Sequence, residues 1–279
     1  MALDPIPSAA FNFISQAERA YAGLMQATYG PEPISDPTGE PALGGKLLYA
    51  GELDEPGRAL MVAGNVAGAA SLAATADPAA QKQAIRDGVA DFLVTSLDEA
   101  LRILKNEIRK RATVAVCVAA TPDAVEREML ERGVLPDLLA PGMANHPAGT
   151  AFQRQGARVT RPNPTGAGTV LVAWRVAALP ALWLPRLDTL ALDCMAPDCL
   201  APEGAPRRWL RLAPRYLGRL AQGVRLLRCD EKLAANLLQQ VRERVASGEI
   251  AVPVEMQIIS GGESHLHLFS PPAGPANQI

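Results

Sequence analysis

The sequence predicts an α/β fold, a doubly wound parallel sheet followed by a second, smaller α+β unit. Three observations carry this. Short apolar runs alternate with helical stretches from Gly45 to Ala140, the rhythm of strand–crossover–strand units. One of those runs, Thr113–Ala120, holds Val-Ala-Val-Cys-Val and is almost wholly apolar, as a strand covered on both faces must be. The helical stretches carry starting and stopping signals where the alternation needs them.

Taken in order, residues 1–43 form a preface. Phe11, Ile14, Ala17, Tyr21 and Leu24 have helical spacing within Ser8–Thr28, with Ser8 as a candidate cap. Tyr29–Leu43 contains Pro31, Pro33, Pro37 and Pro41 and reads as a linker or wrapping loop. Lys46–Ala50 is then a short apolar strand, and Pro56–Val66 a helix with proline at its first position. Ala70–Ala76 is a small-residue strand ending at Asp77. Pro78–Gly88 is a helix opened by proline and closed by glycine. After the strand Ala90–Val94, Leu97, Ala100, Leu101, Leu104 and Ile108 mark an amphipathic helix over Ser96–Arg111. Ser96 and Glu99 are spaced as a capping box. The buried strand Thr113–Ala120 leads to a helix over Thr121–Arg132, capped at Thr121 and stopped by Gly133, and to a fifth strand at Asp137–Ala140. Five strands in this rhythm are a Rossmann-like domain. Residues 142–168 are rich in Gly, Pro and Asn and read as a boundary or a functional loop. Beyond it the pattern gives a strand at Thr169–Ala177 and helices at Pro185–Met195, Pro206–Ala221 and Asp230–Ser247. Strands at Ile250–Ile259 and Ser264–Phe269 precede a loose proline-rich tail. The division is an N-terminal helix and linker over 1–43, a Rossmann-like domain over 44–150 and an α+β domain over 151–279.

Composition narrows the classes. The chain has 279 residues, 48% of them hydrophobic but only 4% aromatic, so Ala, Val and Leu must fill its core. The net charge of −2 carries no nucleic-acid signature, although Thr150–Val245 holds 14 Arg and one Lys against seven acids, a net of +8, leaving −10 elsewhere. Cys117, Cys194, Cys199 and Cys229 lack CxxC spacing and read as reduced, structural thiols of a cytoplasmic protein. The N-terminus has no basic stretch of the secretory kind, and the apolar run Val170–Leu184, with Arg175 and Pro180 inside it, is too short to span a bilayer. No membrane partner is expected, and an Ala/Leu-rich chain of this kind is expected to be a homo-oligomer.

Several ordered phrases resemble a known family. Asp77 closes the second strand, Arg86-Asp87-Gly88 closes the helix after it, and Leu97-Asp98-Glu99-Ala100-Leu101 opens the next. This succession resembles the NAD-binding domain of urocanase (urocanate hydratase). Ala67–Ala73 is similar to that family's small-residue strand entry, and Gly133-Val134-Leu135-Pro136-Asp137-Leu138 resembles its G-x-x-P-D-L run. His146 falls nine positions after Asp137, where urocanases carry the histidine of a D-Q-T-S-x-H phrase. The resemblance covers residues 44–150 and implies a Rossmann domain; were the chain an enzyme, it would imply a hydro-lyase.

The departures concern the cofactor. Urocanases carry a glycine-rich G-L-G-G-M-x-G-A-Q loop after the first strand; this chain has Gly51-Glu52-Leu53-Asp54-Glu55-Pro56-Gly57. Pyrophosphate needs bare amides at a positive helix terminus, whereas here three acids crowd the turn and Pro56 removes one donor. Two unit charges ~4 Å apart repel by about 4 kcal/mol at an effective dielectric near 20. No cofactor is expected on this reading. The Asp-Gln-Thr-Ser phrase is replaced by Pro141-Gly142-Met143-Ala144, and a Tyr-Gly-Asn-Asn phrase is missing.

Glu52, Asp54 and Glu55 suit a helix start better than a cation site. Gly51 and Gly57 are the surviving glycines of the cofactor loop. Asp77 is a helix cap or a ribose ligand. His146 is the candidate general acid or base, or else a locally bonded loop histidine. His265 and His267, two apart on a strand with Glu263 beside them, are a plain strand face rather than a metal site, and no metal is expected. Arg208, Arg211, Arg215 and Arg219 share one helix face, solvated or salt-bridged by default and otherwise an anion surface; nucleic acid is not the expected partner. The leading expectation is a urocanase-like protein that is not a competent hydratase, binding a small ligand near His146 or serving as an interaction module. The alternative is a hydratase or lyase that retains NAD, with Gly51, Gly57, Asp77 and His146 in its site.

Overall fold

The computed structural model describes residues 8–28, 43–161, 168–195, 204–261 and 263–272. In chain order its elements are α1 (Ser8–Thr28), β1 (Leu47–Glu52), α2 (Glu55–Ala67), β2 (Ala70–Ala74), α3 (Pro78–Arg86) and β3 (Phe92–Val94). They continue with α4 (Leu97–Lys110), β4 (Val114–Val118), α5 (Pro122–Glu131), β5 (Leu138–Leu139), α6 (Pro147–Arg154) and β6 (Arg158–Val159). The last are β7 (Thr169–Val176), α7 (Pro180–Cys194), α8 (Gly204–Leu217), β8 (Arg225–Asp230), α9 (Glu231–Ala246), β9 (Val254–Ser260) and β10 (Glu263–Phe269). The linker before Leu43, Cys199 and the tail beyond Pro272 lie outside the described residues.

The fold is α/β, as expected. Six parallel strands run in the order β3-β4-β2-β1-β5-β6, and four antiparallel strands in the order β10-β9-β7-β8. The chain divides into two compact units, Asn12–Pro164 with Leu200–Gly218, and Met1–Phe11 with Thr165–Cys199 and Arg219–Ile279.

In the first unit the chain leaves β1 for β2 on one side, and leaves β5 for β6 on the other. The carboxyl ends of β1 and β5 thus flank a topological switch point, where ligands of such sheets bind. Period-2 alternation assigns the faces of β1. Leu48 lies over α2, so close that a Cβ on Gly64 would stand 2.8 Å from Leu48 Cδ2. Tyr49 points the other way, towards α5 and α6, where its ring meets Phe152 edge-on at 6.5 Å. Asp137, from the G-x-x-P-D-L phrase, ties β5 to β1 by accepting from Leu47 N at 2.8 Å and Lys46 Nζ at 3.0 Å. On the outer side of α2 packs α8, whose Arg208 Nε donates to the Val66 carbonyl at 2.7 Å; Trp209 packs against Tyr21 of α1.

Most caps stand where the sequence places them. Asp230 Oδ1 accepts from Leu233 N, and Ser96 Oγ from Glu99 N. Glu99 Oε2 returns to the Thr95 amide at 2.9 Å, one residue earlier than a capping box requires. Thr121 sits at the N-cap of α5, yet its hydroxyl makes no capping hydrogen bond.

Three differences from expectation have identifiable causes. The stretch after Pro141 folds further, into a 3-10 turn at Pro141–Asn145, the helix α6 and a sixth strand that pairs with β5. Gly149 hides that helix in the sequence, and close packing demands it there. A Cβ on Gly149 would fall on the Met143 carbonyl, 2.8 Å from its carbon. The strand β8 was also not expected, because Arg225 and Arg228 interrupt its apolar run. Finally, α7 begins at Pro180 and contains Pro185, which the sequence suggested as its start.

The second unit is built around β7, buried over almost its whole length between β8 and β9, with α7 and α9 packed on it. Its buried charges are paired. Arg175 Nη2 reaches Glu255 Oε2 at 2.6 Å, and Arg225 Nε reaches Asp188 Oδ2 at 2.8 Å. No helix among the described residues is long and apolar enough to cross a membrane.

Candidate functional site

The turn between β1 and α2 is closed by its own side chains. Tyr49 pairs with Leu72 and Gly51 with Ala73, so Ala50 is one residue too many and β1 bulges at its carboxyl end. Gly51 absorbs the irregularity with φ of 75°, where only glycine is unstrained. Asp54 is then the N-cap of α2, and its Oδ1 accepts from Gly57 N at 2.8 Å. Gly57 is present for packing. A Cβ on it would fall on the Glu52 carbonyl oxygen, 3.0 Å from that carbonyl's carbon and 3.2 Å from Asp54 Oδ1. Of the first-turn amides a phosphate would use, that of Gly57 is taken by a carboxylate and Pro56 has none. Asp77 is equally local: it caps α3 through Ala79 N at 2.8 Å and lies exposed at the carboxyl end of β2.

His146 stands in a different setting. It is the N-cap residue of α6, directly behind β5, and its ring meets two acids from the first turns of α5. His146 Nδ1 is 3.1 Å from Glu126 Oε2, and Nε2 is 3.9 Å from Asp123 Oδ1. The other oxygen of Glu126 accepts from the Tyr49 hydroxyl at 3.0 Å. Sequence and topology explain the convergence. Tyr49 points from β1 onto the α5 face of the sheet, Asp123 and Glu126 are i and i+3 on one side of α5, and β5 delivers His146 beside them.

Burial grades the imidazole and the two acids. The Glu126 side chain is 4% exposed, His146 40% and Asp123 85%. Glu126 Oε2 and His146 Nδ1 are both fully buried, and despite their short separation neither has a hydrogen bond of good geometry. Burial pushes the Glu126 carboxyl above the usual carboxylate range, against the Tyr49 hydrogen bond and the nearby His146, which pull it down. Burial, followed by the charge of Glu126, pushes the Tyr49 phenol far up, so it remains a donor at any ordinary pH. The Glu52 charge also reaches this neighbourhood. It adds to burial in raising Tyr49 and in pushing the Cys117 thiol up to about 11. Such a site offers a fixed carboxylate, an imidazole and a second, exposed carboxylate at the switch point.

Only His146 of this cluster was singled out by the sequence. Asp123 and Glu126 fall within the helix expected over Thr121–Arg132, and Tyr49 within the strand expected over Lys46–Ala50, with nothing in the spacing to set them apart. The remaining candidates stay apart from the cluster. His265 lies on the edge strand β10 with Nε2 3.8 Å from Glu263 Oε2, while His267 stacks on Phe269. Cys117 and Cys229 are buried and Cys194 half-buried, away from the cluster. On α8 the arginine face is divided: Arg208 is bound to α2, and Arg215 lies over the Tyr216 ring.

The parallel sheet and the phrases from Asp77 to Leu138 along it agree with a comparison against known families. Residues 24–161 match the model of the urocanase Rossmann-like domain. That span takes in the parallel-sheet strands β1 to β6, the β1–α2 turn, Asp77 and the whole Tyr49–Asp123–Glu126–His146 cluster. Over residues 24–161 the chain is therefore similar to the urocanase Rossmann-like domain.

Proposed function

We propose that this domain binds a small ligand at the carboxyl ends of β1 and β5, around His146, and does not work as an NAD-dependent hydratase. One observation carries the reading: Asp54 accepts the Gly57 amide at 2.8 Å, so a carboxylate of the chain itself stands where a pyrophosphate oxygen would be held. Exposed Glu52 and Glu55 add negative charge to the same turn, which disfavours an anion further. The ligand would instead meet Glu126, His146 and Asp123. The protein would act as a homo-oligomer and in the cytoplasm, the latter in keeping with the free thiols of Cys117 and Cys194.

The alternative is a hydratase or lyase that retains NAD. The exposed Asp77 at the end of β2, the ribose position of dinucleotide enzymes, is what favours it. Mass spectrometry of the native chain, with thermal unfolding in added NAD, separates the two. The expected result is no co-purified NAD and no rise in Tm; retained or stabilising NAD overturns our reading. The ligand itself is sought by imidazole NMR. The chain has three histidines, so the His146 resonance is assigned by its loss in His146→Asn. Urocanate and a metabolite fragment set are the probes. Shifts confined to His146 support the reading, and a set that leaves its resonance unmoved counts against it.

A further inference from the structure

The geometry points to a divalent-cation site of the zinc class, made by Asp123, Glu126 and His146. Among the described residues these three form a group whose candidate ligand atoms all lie within 4.8 Å of one another. The separation of 3.1 Å between His146 Nδ1 and Glu126 Oε2 is close to the edge of a tetrahedron, about 3.3 Å when metal bonds are near 2.0–2.1 Å.

An independent feature makes this more than a cluster of acids. Glu126 Oε2 is buried without a hydrogen bond, on a side chain only 4% exposed, and it faces His146 Nδ1, which also lacks one. Two adjoining buried polar atoms left unsatisfied are costly, of order 1–3 kcal/mol each, and a cation between them would satisfy both. The surroundings suit that role. Tyr49 donates to Glu126 Oε1 at 3.0 Å, fixing the carboxylate so that Oε2 is the oxygen presented. Asp123, one turn back on α5 and 85% exposed, can swing in as the third ligand without disturbing the core.

The donor set selects the metal. One imidazole and two carboxylates suit zinc and its first-row neighbours, whereas Ca2+ needs six or more oxygens and finds two side chains here. Three protein ligands leave a fourth position open to water or to a ligand donor, the pattern of a reactive rather than a closed structural site. The inference concerns the same cluster as the proposed ligand site and holds whether or not an organic ligand binds there.

The test uses the full chain, stripped of metal and dialysed against micromolar Zn2+, with bound metal measured by elemental mass spectrometry. The wild type should keep one equivalent and gain thermal stability from Zn2+ but not from Ca2+. Asp123→Asn and His146→Asn should lose both effects. Asp123 is exposed, so that variant keeps the fold, and its far-UV spectrum and metal-free Tm should match those of the wild type. Tyr49→Phe should weaken binding by about 10–100-fold. The double variant His265→Asn/His267→Asn should bind as the wild type does. A wild type without stoichiometric zinc, uptake undiminished in Asp123→Asn and His146→Asn, or uptake lost on replacing His265 and His267 would each overturn the inference. Zinc uptake without any His146 shift from the organic probes would sustain the metal site and remove the ligand reading; the reverse pattern would do the opposite.

Discussion

Replacing Gly57 with alanine decides whether the β1–α2 turn serves packing or a ligand. The added methyl would fall on the Glu52 carbonyl oxygen and stand 3.0 Å from its carbon and 3.2 Å from Asp54 Oδ1. Comfortable carbon contacts begin at about 3.5 Å, so the first turn of α2 must move by something of the order of an ångström. That movement stretches the bond from Gly57 N to Asp54, now 2.8 Å. Overpacking of this kind costs about 1–3 kcal/mol, and loss of an N-cap adds about 1 kcal/mol, giving roughly 2–4 kcal/mol. Against a typical stability of about 5–15 kcal/mol that is a large fraction. With an m-value of about 2 kcal/mol/M in urea, the midpoint of the transition should fall by roughly 1–2 M. Circular dichroism through a urea titration measures it. A glycine kept only so that a phosphate can approach would behave in the opposite way: Gly57→Ala would unfold at the wild-type midpoint and lose binding instead. That result would refute the argument that the turn is closed by its own residues.

Three further outcomes follow from the pattern of burial and charge. Because burial raises the folded pKa of Glu126 above its unfolded value, the protonated form favours folding. Its stability contribution is present below the ordinary glutamate range and is lost as pH rises through the raised pKa. Urea midpoints of metal-free protein should therefore carry a falling component just above the ordinary glutamate range, and Glu126→Gln should lack it; identical pH profiles would contradict the assignment. In the second unit, Arg175→Ala leaves the buried Glu255 unpaired and should destabilise by about 3–5 kcal/mol, while the double replacement Arg175→Met/Glu255→Met should recover most of the loss. Denaturation that finds the double variant as weak as the single one would reject that pairing. Cys117, buried and with its thiol pushed up to about 11, should resist alkylation in the native protein at pH 8 and react only on unfolding, as peptide mass spectrometry would show.

The sheet was legible because its signals are local. Proline at the start of α2, α3 and α5, glycine behind α2, and the unbroken apolar run of β4 each need only neighbours in sequence to be read. What was missed depends on contacts made elsewhere. Gly149 lowers the helical signal of α6, yet it is required by the Met143 carbonyl, which no spacing rule reveals. Arg225 and Arg228 disguise β8, although Arg225 is neutralised by Asp188 from another element. The site shows the same division. His146 could be found from its place after the fifth strand. Its partners could not, since Tyr49 and Glu126 are 77 residues apart and meet only because β1 and α5 share one face of the sheet. An Asp-x-x-Glu spacing at a helix start was the available signal, and it is ambiguous, because acids there also complement the helix dipole.

The β1–α2 turn of this switch point differs from the turn a dinucleotide needs. In a dinucleotide enzyme the β1–α2 turn is an anion receptor whose amides are satisfied only when phosphate is bound. Here Asp54 satisfies the Gly57 amide permanently, so the start of α2 is stable without a ligand, by about the 1 kcal/mol that such a cap contributes. Glu52 and Glu55 beside it, and Asp123 and Glu126 across the strand ends, make the carboxyl edge of β1 acidic. Charge of that sign repels phosphates and attracts metal cations, protonated amines and hydrogen-bond donors. The retained fold and the altered edge are therefore compatible. The sheet depends on apolar burial between its strands and helices, which the acids at its rim do not touch, whereas the choice of ligand depends on the rim alone. The proposed site lies on that rim, where Tyr49 holds Glu126 with its second oxygen turned to His146.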